Sequence, residues 1–174
     1  MSAIRTDKDR TYFTGNTSNF GLTGETIEAT DALKKASWLG MVAGLRSMTP
    51  LAVLAWTNEE TAPIQKNITT VLAVGEMIAD KLPFTPSRIK SGPFLGRIAL
   101  GAVSGALLCK RLEQPMLSGA MRGALGAVVG TLAGSTYRSI MPQATGLPDF
   151  VLALVEDGAA IALGFAAATP ETHA

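Results

Sequence analysis

From Ala36 onward the chain is a succession of apolar stretches, 16 to 22 residues long and poor in charge, and no other feature constrains its fold as much. They run from Ala36 to Thr57, Asn67 to Leu82, Phe94 to Cys109, Leu117 to about Arg138, and Phe150 to Ala168. Between them lie proline-bearing or charged separators containing Pro63, then Pro83, Pro86 and Pro93, then Pro115, then Pro142 and Pro148. In hydrocarbon every backbone N–H and C=O must be satisfied within its own segment, so such stretches read as helices. Spanning a bilayer takes about 20 apolar residues, and these sit near the lower end of that range. A water-soluble helical bundle would instead show one face rich in Lys and Glu, which these stretches lack. The expected fold is therefore all-α: a polytopic membrane bundle of about five short, Gly-rich transmembrane helices. In the first stretch Trp38 and Trp56 are 18 residues apart, about 27 Å of helix, and mark two aromatic edges of a bilayer.

Charge concentrates at the front. Residues 1–35 carry 5 basic and 5 acidic residues among Thr, Ser, Asn and Gly, and read as a polar tail. Tyr12, Phe13 and Phe20 are its possible anchors. No apolar run follows the early basic residues, which argues against a secretory signal. The organisation expected is a tail over 1–35, a membrane domain over 36–169 and a short C-terminal tail over 170–174. With 15 basic against 14 acidic residues the net charge is +1, which gives no reason to expect nucleic acid. A single Cys excludes an intrachain disulfide and a CxxC site, and the single His, His173, is next to last. Neither a metal site, a cofactor motif nor a nucleophile–base pair is legible, so no enzyme is expected.

Eight of the 18 glycines fall between Phe94 and Gly134. Gly119, Gly123, Gly126, Gly130 and Gly134 are spaced 4, 3, 4 and 4, which keeps them within roughly an 80° arc of one helix. Gly101 and Gly105 form a shorter version in the preceding stretch. Such faces let helix backbones approach closely, against a helix of the same chain or of a second subunit.

Two segments echo one another: AGLRSMTP at 43–50 and AGSTYRSIMP at 133–142. Each holds Arg-Ser and then Pro four residues after the arginine, and each precedes a stretch bearing two acids, Glu76 with Asp80 and Glu156 with Asp157. One intervening helix would turn the second unit upside down, the logic of inverted-repeat transporters. Pro50 lacks an N–H and clashes with the Arg46 carbonyl, so the first helix should kink or break there, its freed backbone groups met by the Ser47 and Thr49 hydroxyls, a neighbouring helix or water. Pro142 marks the matching break. A lone charge at the bilayer centre costs at least about 2.5–3.5 kcal/mol, which leads to the pairs Arg46 with Glu76 or Asp80, and Arg138 with Glu156 or Asp157. They line a polar pathway or serve as static ion pairs.

The runs GLRSMTPLAVLAW, GEMIADKLPFTPSR and GPFLGRIALGAVSGALL resemble the small bacterial membrane proteins grouped as domain of unknown function 4126, over roughly residues 37–168. The resemblance implies an integral envelope protein and carries over no catalytic residue. Basic residues flanking the stretches favour a multi-pass inner-membrane protein with a cytoplasmic N-terminus, and an odd helix count puts the C-terminus on the other side. Two functions are expected: a small-solute or ion transporter or channel-like protein, or a non-catalytic accessory subunit of a larger membrane complex. The partners expected are the lipid bilayer and either further copies of the chain or the other subunits of that complex.

Overall fold

The computed structural model describes residues 17–79 and 91–169. Tyr12, Phe13, Asp80, Pro83, Pro86 and His173 lie outside them, as does the side chain of Phe20. Every regular element among the described residues is a helix: α1 (Thr17–Leu45), α2 (Thr49–Thr57), α3 (Pro63–Ala79), α4 (Ser91–Arg111), α5 (Met116–Thr145) and α6 (Asp149–Ala168). The chain forms two compact units, Met1–Asp31 and Ala32–Ala174. In the first, α1 is already helical from Thr17, within the stretch read as a polar tail, and the Thr30 hydroxyl donates back to the Thr26 carbonyl at 2.7 Å.

In the second unit the first apolar stretch is not one helix. The Arg46 N–H still donates to the Val42 carbonyl at 2.7 Å, and then the ladder stops. A new helix opens with Pro50 in its first turn, where the missing N–H would have had no partner anyway. Val42 and Val53 both lie beside Gly164 of α6, within 4 Å of the position its Cβ would take. In a continuous helix these two valines would be about 16 Å apart. The chain therefore doubles back, and α1 and α2 form an antiparallel hairpin with its tip at Arg46–Met48. The buried cluster of Ala36, Leu39, Val53, Leu54, Leu108, Cys109, Ala167 and Ala168 joins the open end of this hairpin to the ends of α4 and α6. The expected 27 Å helix between Trp38 and Trp56 is thus replaced by two arms.

At the open end Lys35 Nζ donates to the Thr169 carbonyl at 3.4 Å, while Arg111 donates to the Thr57 hydroxyl at 3.0 Å and to the Thr57 carbonyl at 2.6 Å. The finish of α6 thus lies at the same end as Lys35, not across the bundle as an odd helix count implied. The extra turn at the hairpin tip accounts for the difference. Among the described residues three helices are long and apolar enough to cross a membrane: Gly92–Arg111, Met116–Thr145 and Phe150–Ala168. The second apolar stretch begins earlier than expected, at Pro63, and of its 17 residues only Ala73 is buried.

Pro142 does not break its helix. The α5 helix runs through it to Thr145 and stops at Gly146, whose φ of 67° is the left-handed conformation that favours glycine. The tertiary amide removes one ladder bond near the end of a 30-residue helix, and the turn closes with the Gly146 N–H on the Pro142 carbonyl at 3.0 Å.

The glycines set the spacing between α1, α4 and α5. A Cβ at Gly119 or Gly123 would land within 3 Å of the carbonyl oxygens of Gly105 and Gly101 on α4, and the reverse holds at Gly101 and Gly105. Further along, a Cβ at Gly126 or Gly130 would strike the carbonyls of Ser37 and Met41 on α1. Gly134 is buried as well. Gly40 meets Gly123 and Gly44 meets Ala127, in ascending order, so α1 and α5 run parallel. The two Arg-Ser-x-x-Pro segments consequently point the same way, and the inverted relation expected between them finds no support in these contacts.

Candidate ionic site at the helix break

The break places charge where the chain is otherwise apolar. Arg46 has 0% of its surface exposed, held at the last turn of α1 by the neighbouring glycine contacts of Gly40 and Gly44. Its Nη2 pairs with Asp157 Oδ1 on α6, which is 6% exposed. One residue earlier on the same helix, Glu156 accepts from Arg138 Nε of α5 at 2.7 Å. Adjacent acids project at about 100° from each other on a helix, so one turn of α6 serves two arginines on two different helices.

Glu76 takes a different role from the one expected. It does not pair with Arg46. Its Oε1 and Oε2 accept the backbone N–H groups of Ser47 and Met48, at 2.7 and 2.8 Å. These are the donors freed where the helix stops, and a carboxylate beside them also faces the positive end of α2. Of the groups the sequence offered for this backbone work, the Ser47 and Thr49 hydroxyls, a neighbouring helix or water, a side chain of the neighbouring helix α3 does it. Ser47 Oγ instead accepts from Arg97 Nε at 3.4 Å, and Thr49 Oγ1 is buried with no hydrogen-bond partner among the described residues. Arg97 is a member of the site that the sequence reading passed over, although it is 4% exposed and carries the one charge in its apolar stretch.

The expected Arg138–Glu156 pairing is present, Arg46 takes Asp157, and Asp80 lies outside the described residues. Arg46, Arg97, Arg138, Glu76, Glu156 and Asp157 give three cations and three anions at the hairpin tip and on the helices around it. Charges buried this way must be paired and hydrogen-bonded, because removing one partner of such a pair typically costs about 3–5 kcal/mol. Buried Thr131 of α5 ties the tip further, its hydroxyl donating to Ala127 O at 2.8 Å and lying 3.2 Å from Gly44 O. Among the described residues no three His, Cys, Asp or Glu side chains converge as metal ligands. Chemically the set can hold a helix break open in an apolar bundle or coordinate a small polar ligand. No family model matches this chain, and neither does any curated protein or solved structure.

Proposed function

We propose that the protein is a small, non-enzymatic multi-pass membrane protein that moves an ion or small polar solute, with the α1–α2 hairpin tip as the centre of its polar pathway. The observation that carries this reading is the break at Arg46–Met48, ringed by buried charges and with its backbone donors held by Glu76. Irregular backbone at membrane depth is tolerated only where protein or a water-filled cavity surrounds it, and transporters build substrate sites from such broken helices. Intramembrane charge of this kind marks a functional site by default.

In this reading α3, α4, α5 and α6 cross the bilayer, and the hairpin enters and returns. This is the form in which a count of about five membrane elements is retained. Lys35, Lys66, Lys110 and Arg111 gather at the open end of the hairpin, which supports a cytoplasmic, inner-membrane placement of that end. The resemblance to domain of unknown function 4126 agrees with a bacterial envelope protein and is proposed on the sequence elements alone.

Reconstitution into liposomes tests the function. Flux of at least one small ion should exceed that of empty vesicles, and Glu76→Gln or Glu156→Gln should change the flux per folded, reconstituted molecule. Flux no greater than in empty vesicles for every ion tried overturns transport. A second reading, an accessory subunit of a larger membrane complex, draws on α3, where Ile64, Ile68, Val71, Leu72, Val74 and Ile78 are all exposed. It predicts stoichiometric co-purification with other chains in mild detergent, and isolation of the chain alone would remove it.

A further inference from the structure

At the open end of the hairpin, away from the buried charges, a groove of about 1220 Å³ lies between the α2–α3 connection and the last turn of α4. It exceeds the roughly 300–1,000 Å³ of an ordinary small-molecule pocket, leaving room for a polar head and the start of an aliphatic chain. Leu51 and Leu107 line it, and so do the charged residues of its rim, Lys110 and Arg111 on α4 with Glu59, Glu60 and Glu113. Arg111 is held in place by Thr57. Among the described residues Glu59, Glu60, Lys110 and Glu113 enter no ion pair.

The depth of the groove follows from its neighbours. Trp56 is exposed, its indole N–H donates to the Thr70 hydroxyl at 2.8 Å, and Lys66 Nζ lies 5.9 Å from the ring centroid. An exposed indole with a polar tip beside lysine, at the end of apolar helices, is the signature of headgroup depth. Below the rim Leu107 and Val103 remain exposed along α4, a surface for an acyl chain.

We propose that this groove binds the headgroup of a zwitterionic phospholipid bearing a primary ammonium, its phosphate at Lys110 and Arg111 and its ammonium at Glu59, Glu60 and Glu113. Both charges of the ligand then meet their opposites. A primary ammonium brings three N–H donors to carboxylates that accept charge-assisted hydrogen bonds, whereas a quaternary ammonium brings none. Three acids against two cations also disfavour an anionic headgroup. The inference rests on the membrane reading and is independent of transport.

The test is native mass spectrometry of the full chain in mild detergent, with palmitoyl-oleoyl phosphatidylethanolamine, phosphatidylcholine or phosphatidylglycerol added singly. The ethanolamine lipid should be retained about five-fold better than either of the others, the scale expected of partly exposed ion pairs. Glu59→Gln, Glu60→Gln and Glu113→Gln combined should bring the ethanolamine-to-choline ratio to about one, and Lys110→Gln should weaken all three lipids. These side chains are exposed, so thermal melting of the variants should match that of the parent. Equal retention of the three lipids, a preference for the glycerol lipid, or an unchanged ratio in the triple variant would each overturn the proposal.

Discussion

Asp157 and Gly123 make opposite demands on their surroundings. Asp157 supplies charge to a buried arginine, and Asp157→Asn leaves Arg46 without its full counter-charge in a site that water does not reach. The expected loss is about 3–5 kcal/mol, read as a drop in melting temperature in detergent. Combining Arg46→Met with Asp157→Leu should recover most of it, because neither charge then remains to be desolvated. A double variant no more stable than Asp157→Asn would show that the pair has another role. Gly123 supplies absence: its Cβ would meet the Gly101 carbonyl on α4, while Gly158 on α6 has nothing within 4 Å. Gly123→Ala should therefore destabilise by about 1–3 kcal/mol. Gly158→Ala should be neutral or stabilising by up to about 1 kcal/mol, since Ala is the better helix former. Equal melting temperatures for the two variants would contradict the backbone contacts assigned to α5.

At the scale of elements, what could be read from the sequence was what is local. Proline's missing N–H is a property of one residue, and the break at Pro50 could be read from it. Glycine spacing along α5 likewise announced a close-packed face, and the 4, 3, 4, 4 pattern does meet neighbouring backbones. What the spacing could not say is that one half of the arc packs on α4 and the other on α1, since both solutions ask for the same small residues. The partner of Arg46 was hidden for a related reason. Glu76, Glu156 and Asp157 are equally plausible acids on apolar helices, and only the direction in which α2 leaves the break decides which one reaches the guanidinium. Pro142 misled because position within a helix decides what proline does. Near a C-terminus already closing on Gly146, the lost bond is absorbed by the turn. Gly146→Ala should shift that end by straining a φ of 67°, a destabilisation of about 1 kcal/mol measurable by thermal melting.

For the whole molecule, one turn changes which end of the bundle each helix reaches. Folding α2 back along α1 brings Lys35, Thr57, Arg111 and Thr169 to one end of the bundle, where a single span would have sent Lys35 and Thr57 to opposite faces. The buried charges of the described residues then gather around the tip, and the groove with its charged rim belongs to the other end. Sidedness of labelling therefore tests the arrangement most directly. In a Cys109→Ala background, Lys35→Cys and Asn58→Cys are introduced singly and exposed to a membrane-impermeant maleimide in vesicles of known orientation. The hairpin predicts that both positions react from the same face. Reaction from opposite faces would restore a single spanning helix between Trp38 and Trp56 and contradict the re-entrant break on which the proposed pathway depends.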